Sequence, residues 1–144
     1  MGRLAAPVVA ILLAVGGASQ GADAEDGSAA LGATVTVRTD KLSYRSGQVI
    51  VVTVRNQLPH AIVTTTGRTS CTVVSLDRRV GQRWVEVRNC YAGVPPVDVR
   101  IAAGATRRMR LPDRVEPGTY RVRLEYRAQG RAARVTSRVL RVDE

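Results

Sequence analysis

From residue 34 to the C-terminus, apolar side chains recur at every second position, and Gly, Pro, Asn or Asp breaks the pattern at short intervals. Alternation of period two places one set of side chains on each face of an extended strand, whereas an amphipathic helix needs an apolar stripe of period 3.6. No segment carries such a stripe. Turn signals about every 8–12 residues between short alternating runs define an all-β chain. The spacing predicts strands at 35–39, 49–55, 61–65, 71–77, 84–90, 97–101, 107–111, 119–127 and 135–142. Residues 49–55 (VIVVTVR) are apolar on both faces and read as a central strand covered on both sides or nearly so, with Ile50, Val52 and Val54 pointing at the core. Residues 119–127 (TYRVRLEYR) alternate cleanly, with Tyr120, Val122, Leu124 and Tyr126 inward and Arg121, Arg123, Glu125 and Arg127 outward. So many short strands without crossover helices predict a two-sheet β-sandwich of Greek-key type.

The first residues follow a different logic. Arg3, an apolar run at 4–15 (LAAPVVAILLAV) and the small-residue segment GGASQGADA reproduce the three-part layout of a secretory signal peptide. The run is short of the ~20 residues a spanning helix needs. Cleavage is expected after Ala24, with Ala18 as the other candidate site. Residues 1–24 are thus the expected leader, 25–33 (EDGSAALGA) a linker, and 34–144 the domain, which is not membrane-spanning after processing. The expected location is exported, periplasmic or extracellular.

Export gives the two cysteines their meaning. In an oxidising compartment an even count reads as a disulfide, so Cys71 and Cys90 are expected to pair. Two thiols and the single His60 fall short of four zinc ligands unless a carboxylate joins them. The segment RRVGQ between the cysteines reads as a hairpin turn centred between Val80 and Gly81. That centre sets Leu76 opposite Val85, Val74 opposite Val87 and Cys71 opposite Cys90. The disulfide then bridges the open end of the hairpin, and the four aliphatic residues share a buried face. Trp84 falls on the disulfide face in this register, either as core or as an exposed platform.

Chemistry-bearing motifs are sparse. Nucleophilic catalysis would have to use His60, which sits in a Pro-containing turn, and no thiol is left once the cysteines pair. There is no glycine-rich phosphate loop, no metal-ligand spacing and no paired-carboxylate arrangement, so no cofactor and no enzymatic activity are expected. The net charge of +10 rests on 22 basic residues, of which Lys41 is the only lysine. Such a bias reflects either codon composition or a partner with anionic groups that arginine grips in a bidentate way. Arg121, Arg123 and Arg127 line one face of one strand, and Arg138 can join them from its neighbour; together they form a candidate patch for anionic partners. Residues 91–97 (YAGVPPV) form a candidate interaction loop through Tyr91, Val94, Pro95 and Pro96.

The run YRSGQVIVVTVRN, a Cys, Leu76 and Arg78, GQRW, a second Cys, AAGATRR and EPGTYRVRLEYR resembles uncharacterised secreted bacterial proteins with an immunoglobulin-like domain. Tyr44, Gly47, Asn56, Cys71, Leu76, Arg78, Gly81, Trp84, Cys90, Pro117, Gly118 and Tyr120 carry the likeness. The resemblance implies an immunoglobulin-like sandwich and no particular activity. PGTY at Pro117 to Tyr120 also resembles the tyrosine corner of such folds, although Val122 stands where a cysteine would follow. A looser likeness is to the bacterial intracellular proteinase-inhibitor domain, from which the leader and the cysteine pair depart. The first expectation is a non-enzymatic binding module of the cell envelope. Its partner is either an unidentified protein or an anionic glycan or lipid surface, and nucleic acid ranks last because stacking aromatics are missing. The alternative is a secreted proteinase inhibitor.

Overall fold

The computed structural model describes residues 34–111 and 114–144. The expected leader and linker lie outside the described residues. The strands, in chain order, are β1 (Val35–Thr39), β2 (Ser43–Arg45), β3 (Ile50–Asn56), β4 (Ile62–Thr65), β5 (Val74–Val80), β6 (Arg83–Glu86), β7 (Asp98–Ile101), β8 (Thr106–Leu111), β9 (Gly118–Ala128), β10 (Arg131–Thr136) and β11 (Leu140–Asp143).

They form two sheets. The smaller has the order β1-β3-β8 and is antiparallel throughout. The larger is built on the long β9, which pairs with β11 and β10 and also with β5 and β4; β6, β7 and β2 extend it. Among the described residues, only the β2–β11 pairing is parallel. The N-terminal stretch therefore starts in one sheet and crosses to the other at Asp40–Leu42. The fold is a two-sheet β-sandwich of the immunoglobulin-like kind, with one disulfide between Cys71 and Cys90.

The core is aliphatic, as a chain without phenylalanine requires. Ile50, Val52 and Val54 from β3 face Leu76, Val122 and Leu124 from the larger sheet, and all are fully buried. Tyr44 and Tyr120 are the two largest buried side chains, and each satisfies its hydroxyl. Tyr120 donates to the Glu116 carbonyl at 2.7 Å, which completes the expected tyrosine corner. Tyr44 donates to Asp40 Oδ1 at 2.7 Å and accepts from the Lys41 amide at 3.0 Å.

Four details differ from the sequence expectation. The segment 41–47 holds the short strand β2, because Tyr44 is drawn into the core beside β11. The strand expected at 135–142 is two strands, β10 and β11, separated at Ser137–Val139 where the hydroxyl of the buried Ser137 accepts from the Val122 amide. β3 is central in its sheet and points Ile50, Val52 and Val54 at the core as expected, but its other face is open: Val51 and Thr53 are half-buried and Arg55 is exposed. Lastly, the hairpin register is Asp77↔Glu86, Arg78↔Val85, Arg79↔Trp84 and Val80↔Arg83. Gly81 takes the first loop position with φ 59°, so the turn is the two residues Gly81 and Gln82 and its centre moves one residue along the chain. Leu76 therefore meets Val87, whose amide it accepts at 2.8 Å, while Val85 opposes Arg78 and is 50 % exposed.

The disulfide survives this shift because it does not lie in the ladder. Strand β5 begins only at Val74, and Thr69–Cys71 make a 3-10 turn with positive φ at Ser70 and Cys71. The two cysteine Cα atoms stand 4.7 Å apart, joining that turn to the loop after β6. Thr69, fully buried, ties the same junction from beneath. Its hydroxyl donates to the Val87 carbonyl at 2.7 Å and accepts from the Leu76 amide at 2.8 Å.

Candidate functional site

Three surfaces hold the side chains singled out by the sequence. On the outer face of the larger sheet, the alternation of β9 does turn Arg121, Arg123, Glu125 and Arg127 away from the core. The partners brought alongside by β5 and β6, however, are acidic. Asp77 is buried, and its carboxylate accepts from Arg123 Nε at 3.0 Å and Nη2 at 3.1 Å and from Arg121 Nε at 3.4 Å. Glu125 accepts from Arg123 Nη1 at 2.6 Å and from Arg68 Nη2 at 2.9 Å. Glu86 accepts from Ser75 Oγ at 2.9 Å and lies 3.5 Å from Arg123 Nη2. Burial alone would lower the affinity of Arg123 for its proton, but hydrogen bonding to Asp77 and the charges of Asp77, Glu125 and Glu86 outweigh it and raise the pKa.

Trp84 belongs to this network and not to the core. It opposes Arg79 across the hairpin, with the Arg121 guanidinium 4.5 Å and that of Arg79 5.9 Å from its ring centroid. An arginine between a carboxylate and an indole face is held on two sides. Arg127 pairs with Asp98 at 3.2 Å. Arg138 stands apart from the other three, lining a groove between β1 and β10 together with Arg38, Asp40 and Lys41. The four candidate arginines thus do not make one cationic patch, and three of them are neutralised by carboxylates.

The second surface is the loop after the disulfide. Residues 91–98 are exposed without interruption, and Tyr91, Val94 and Val97 are 83 %, 52 % and 58 % exposed. Both ends are moored. Cys90 is bonded to Cys71, and Val97 exchanges two hydrogen bonds with Thr66: its amide donates to the Thr66 hydroxyl at 2.8 Å and its carbonyl accepts the Thr66 amide at 2.9 Å. Gly67 at φ 88° lies against Pro96; a Cβ there would stand 3.5 Å from the proline Cβ. Pro95 and Pro96 take no part in a ladder, so their missing amides cost nothing.

His60 sits between these regions in the turn after β3, where its carbonyl accepts from the Asn56 side chain at 2.9 Å. Among the described residues no group of three His, Cys, Asp or Glu side chains is placed to hold a metal ion. No family model matches this sequence, and neither does any curated protein.

The third surface was not singled out from the sequence. Arg38, Arg55, Arg108 and Arg110 face outward on the smaller sheet, and all four are exposed. The alternation of RRMRL over 107–111 announces two of them, but only the pairing of β1, β3 and β8 assembles the set.

Proposed function

We propose that the chain is a non-enzymatic, exported binding module of the bacterial cell envelope, which engages a protein partner through residues 91–97. The observation that carries this reading is the combination of continuous exposure with two fixed ends. Large apolar side chains held in water are characteristic of contact surfaces when they cluster. A loop already closed by a disulfide and by Thr66 loses less conformational entropy on docking than a free one. The disulfide itself supports an oxidising compartment.

A second reading, a proteinase inhibitor, draws on the same loop, since Pro95 and Pro96 hold part of it extended between its moorings. One experiment separates the two. The purified protein and a Tyr91→Ser/Val94→Ser variant are immobilised and exposed to a native envelope fraction. In parallel, both are incubated with serine, cysteine and metalloproteases at micromolar concentration. A specific envelope protein retained by the wild type and lost by the variant is the expected result. Stoichiometric inhibition of one protease, lost in the variant, would put the inhibitor first; equal capture by both proteins would remove the loop from either role.

A further inference from the structure

The outward arginines of the smaller sheet differ from Arg121, Arg123 and Arg127 of the larger in one respect. Among the described residues, Arg38, Arg55, Arg108 and Arg110 make no ion pair and no side-chain hydrogen bond, whereas Arg121, Arg123 and Arg127 each face a carboxylate. The register lays them out. One outward row reads Arg38, Thr53, Arg108 across β1, β3 and β8, and the next reads Thr36, Arg55, Thr106. Arg110 extends the pattern beside Val51. Within those two rows arginine and threonine alternate both along and across the strands. With neighbouring strands about 4.8 Å apart and alternate residues about 6.8 Å apart, the two rows together with Arg110 cover roughly 10 by 14 Å.

The described carboxylate at the border of this face, Asp40, makes no ion pair among the described residues and keeps its charge, tied by one oxygen to neutral donors. Its Oδ1 accepts from the Tyr44 hydroxyl and, at 3.1 Å, from the Val51 amide. The strands of the smaller sheet thus carry five arginines and no carboxylate, with Asp40 at their border, whereas Arg121, Arg123 and Arg127 of the larger sheet each face a carboxylate.

We propose that the outer face of β1, β3 and β8 binds an acidic polysaccharide, with Arg38, Arg55, Arg108 and Arg110 as its anion-binding groups. Charge complementarity selects an anionic partner. Cations dealt over three strands of an open sheet fit charges repeated along an extended polymer. The interleaved Thr36, Thr53 and Thr106 add hydroxyls that can exchange hydrogen bonds with sugar hydroxyls. A lipid surface fits less well, because stable peripheral binding adds apolar or aromatic side chains that enter the interface, and the three strands contribute no exposed large hydrophobic residue. Nucleic acid fits less well for want of an aromatic on this face to stack a base. This surface is independent of the loop at 91–97.

The test compares two fourfold variants that lose the same charge. In one, Arg38, Arg55, Arg108 and Arg110 are each replaced by Ser. In the other, the exposed Arg45, Arg83, Arg100 and Arg131, which lie outside the face, are replaced in the same way. Binding to heparin and to polygalacturonate is measured against salt concentration, beside vesicles containing phosphatidylglycerol and a single-stranded oligonucleotide. The expected result is a loss of affinity for both polysaccharides of at least about tenfold near 0.1 M salt. The slope of log K against log salt falls by about 3 in the face variant and clearly less in the control. Equal losses in the two variants would reduce the binding to net charge and overturn the proposal. So would tighter binding of the vesicles or the oligonucleotide than of either polysaccharide. A measurement on the unmodified protein is independent of how the variants fold: on adding heparin oligosaccharide, the amide resonances that move should belong to β1, β3 and β8. Movement centred on β5 and β9 would refute the assignment.

Discussion

Asn56 shows how much one polar side chain can hold in an aliphatic core. It is fully buried at the end of β3, and its Nδ2 lies 2.9 Å from the His60 carbonyl, 3.0 Å from that of Ala102 and 3.2 Å from that of Ile101. Its Oδ1 accepts the Leu58 amide at 3.0 Å. One amide thus closes the turn after β3 and fastens it to the β7–β8 connection. Replacing Asn56 by Leu strands several buried backbone groups, and we expect a loss of about 3 kcal/mol in urea unfolding. Tyr44 gives a prediction with a pH signature. Burial first, and the hydrogen bond to Asp40 second, push its pKa up to about 12. The phenol must be neutral in the folded state, while the unfolded chain ionises near pH 10. Its contribution is complete below pH 10 and disappears as pH rises towards 12, a change on the order of 2–3 kcal/mol. Burial raises the pKa of Tyr120 and Tyr126 in the same direction. Stability measured by urea midpoint should therefore fall steeply between pH 10 and 12. In Tyr44→Phe the fall should be smaller by the share of one tyrosine; an unchanged pH profile would show that Tyr44 is not the linked group.

At the scale of elements, the β5–β6 hairpin and the loop after it form one mechanical unit. The disulfide closes a loop with a sequence separation of 19 residues, for which chain entropy predicts about 3 kcal/mol. The Cys71→Ala/Cys90→Ala variant should lose that amount. Intact protein analysed without reductant should be two hydrogens lighter than the dithiol and inert to alkylation. On the outer face, β5 contributes one carboxylate to two arginines of β9. Removing one partner of a largely buried pair leaves charge uncompensated, so Asp77→Ala should cost about 2–4 kcal/mol. Arg121→Ala should cost less, because Arg123 still satisfies Asp77. A comparable loss in the two variants, measured by thermal unfolding, would show that the network does not depend on Asp77.

Over the whole molecule, the two sheets divide the labour of carrying charge. On its outer face the larger sheet binds Arg121, Arg123 and Arg127 to carboxylates and so gains order; the outward arginines of the smaller sheet make no ion pair among the described residues and repel one another. Uncompensated cations about 7–10 Å apart lie within one screening length at moderate salt, so they should lower stability slightly. Arg108→Thr should consequently raise the melting temperature at low ionic strength, by a few tenths of a kcal/mol in free energy, and the gain should vanish near 0.5 M salt. A substitution that stabilises the fold while weakening polysaccharide binding marks a surface kept for contact. If Arg108→Thr destabilises at low salt, the face is not self-repelling.

Several features were legible in the sequence because they rest on local rules. Period two set the strand class and most strand positions, PGTY announced the corner at Tyr120, and an even cysteine count in an exported-looking chain anticipated the Cys71–Cys90 bond. Residues that alternate must face opposite sides, so the inward set Tyr120, Val122 and Leu124 also followed from order alone. What the chain order left open was which strands lie side by side. A single glycine at the first position of its turn moved the hairpin register and set Trp84 beside Arg79 on the outer face. The approach of β5 to β9 put Asp77 under Arg121 and Arg123, turning an expected cationic patch into an ion-pair network. The meeting of β1, β3 and β8 gathered four arginines, scattered from residue 38 to residue 110, onto one outward face bordered by Asp40. Alternation says only that a side chain points out; whether a charge there is neutralised depends on neighbours that long-range pairing alone brings within reach.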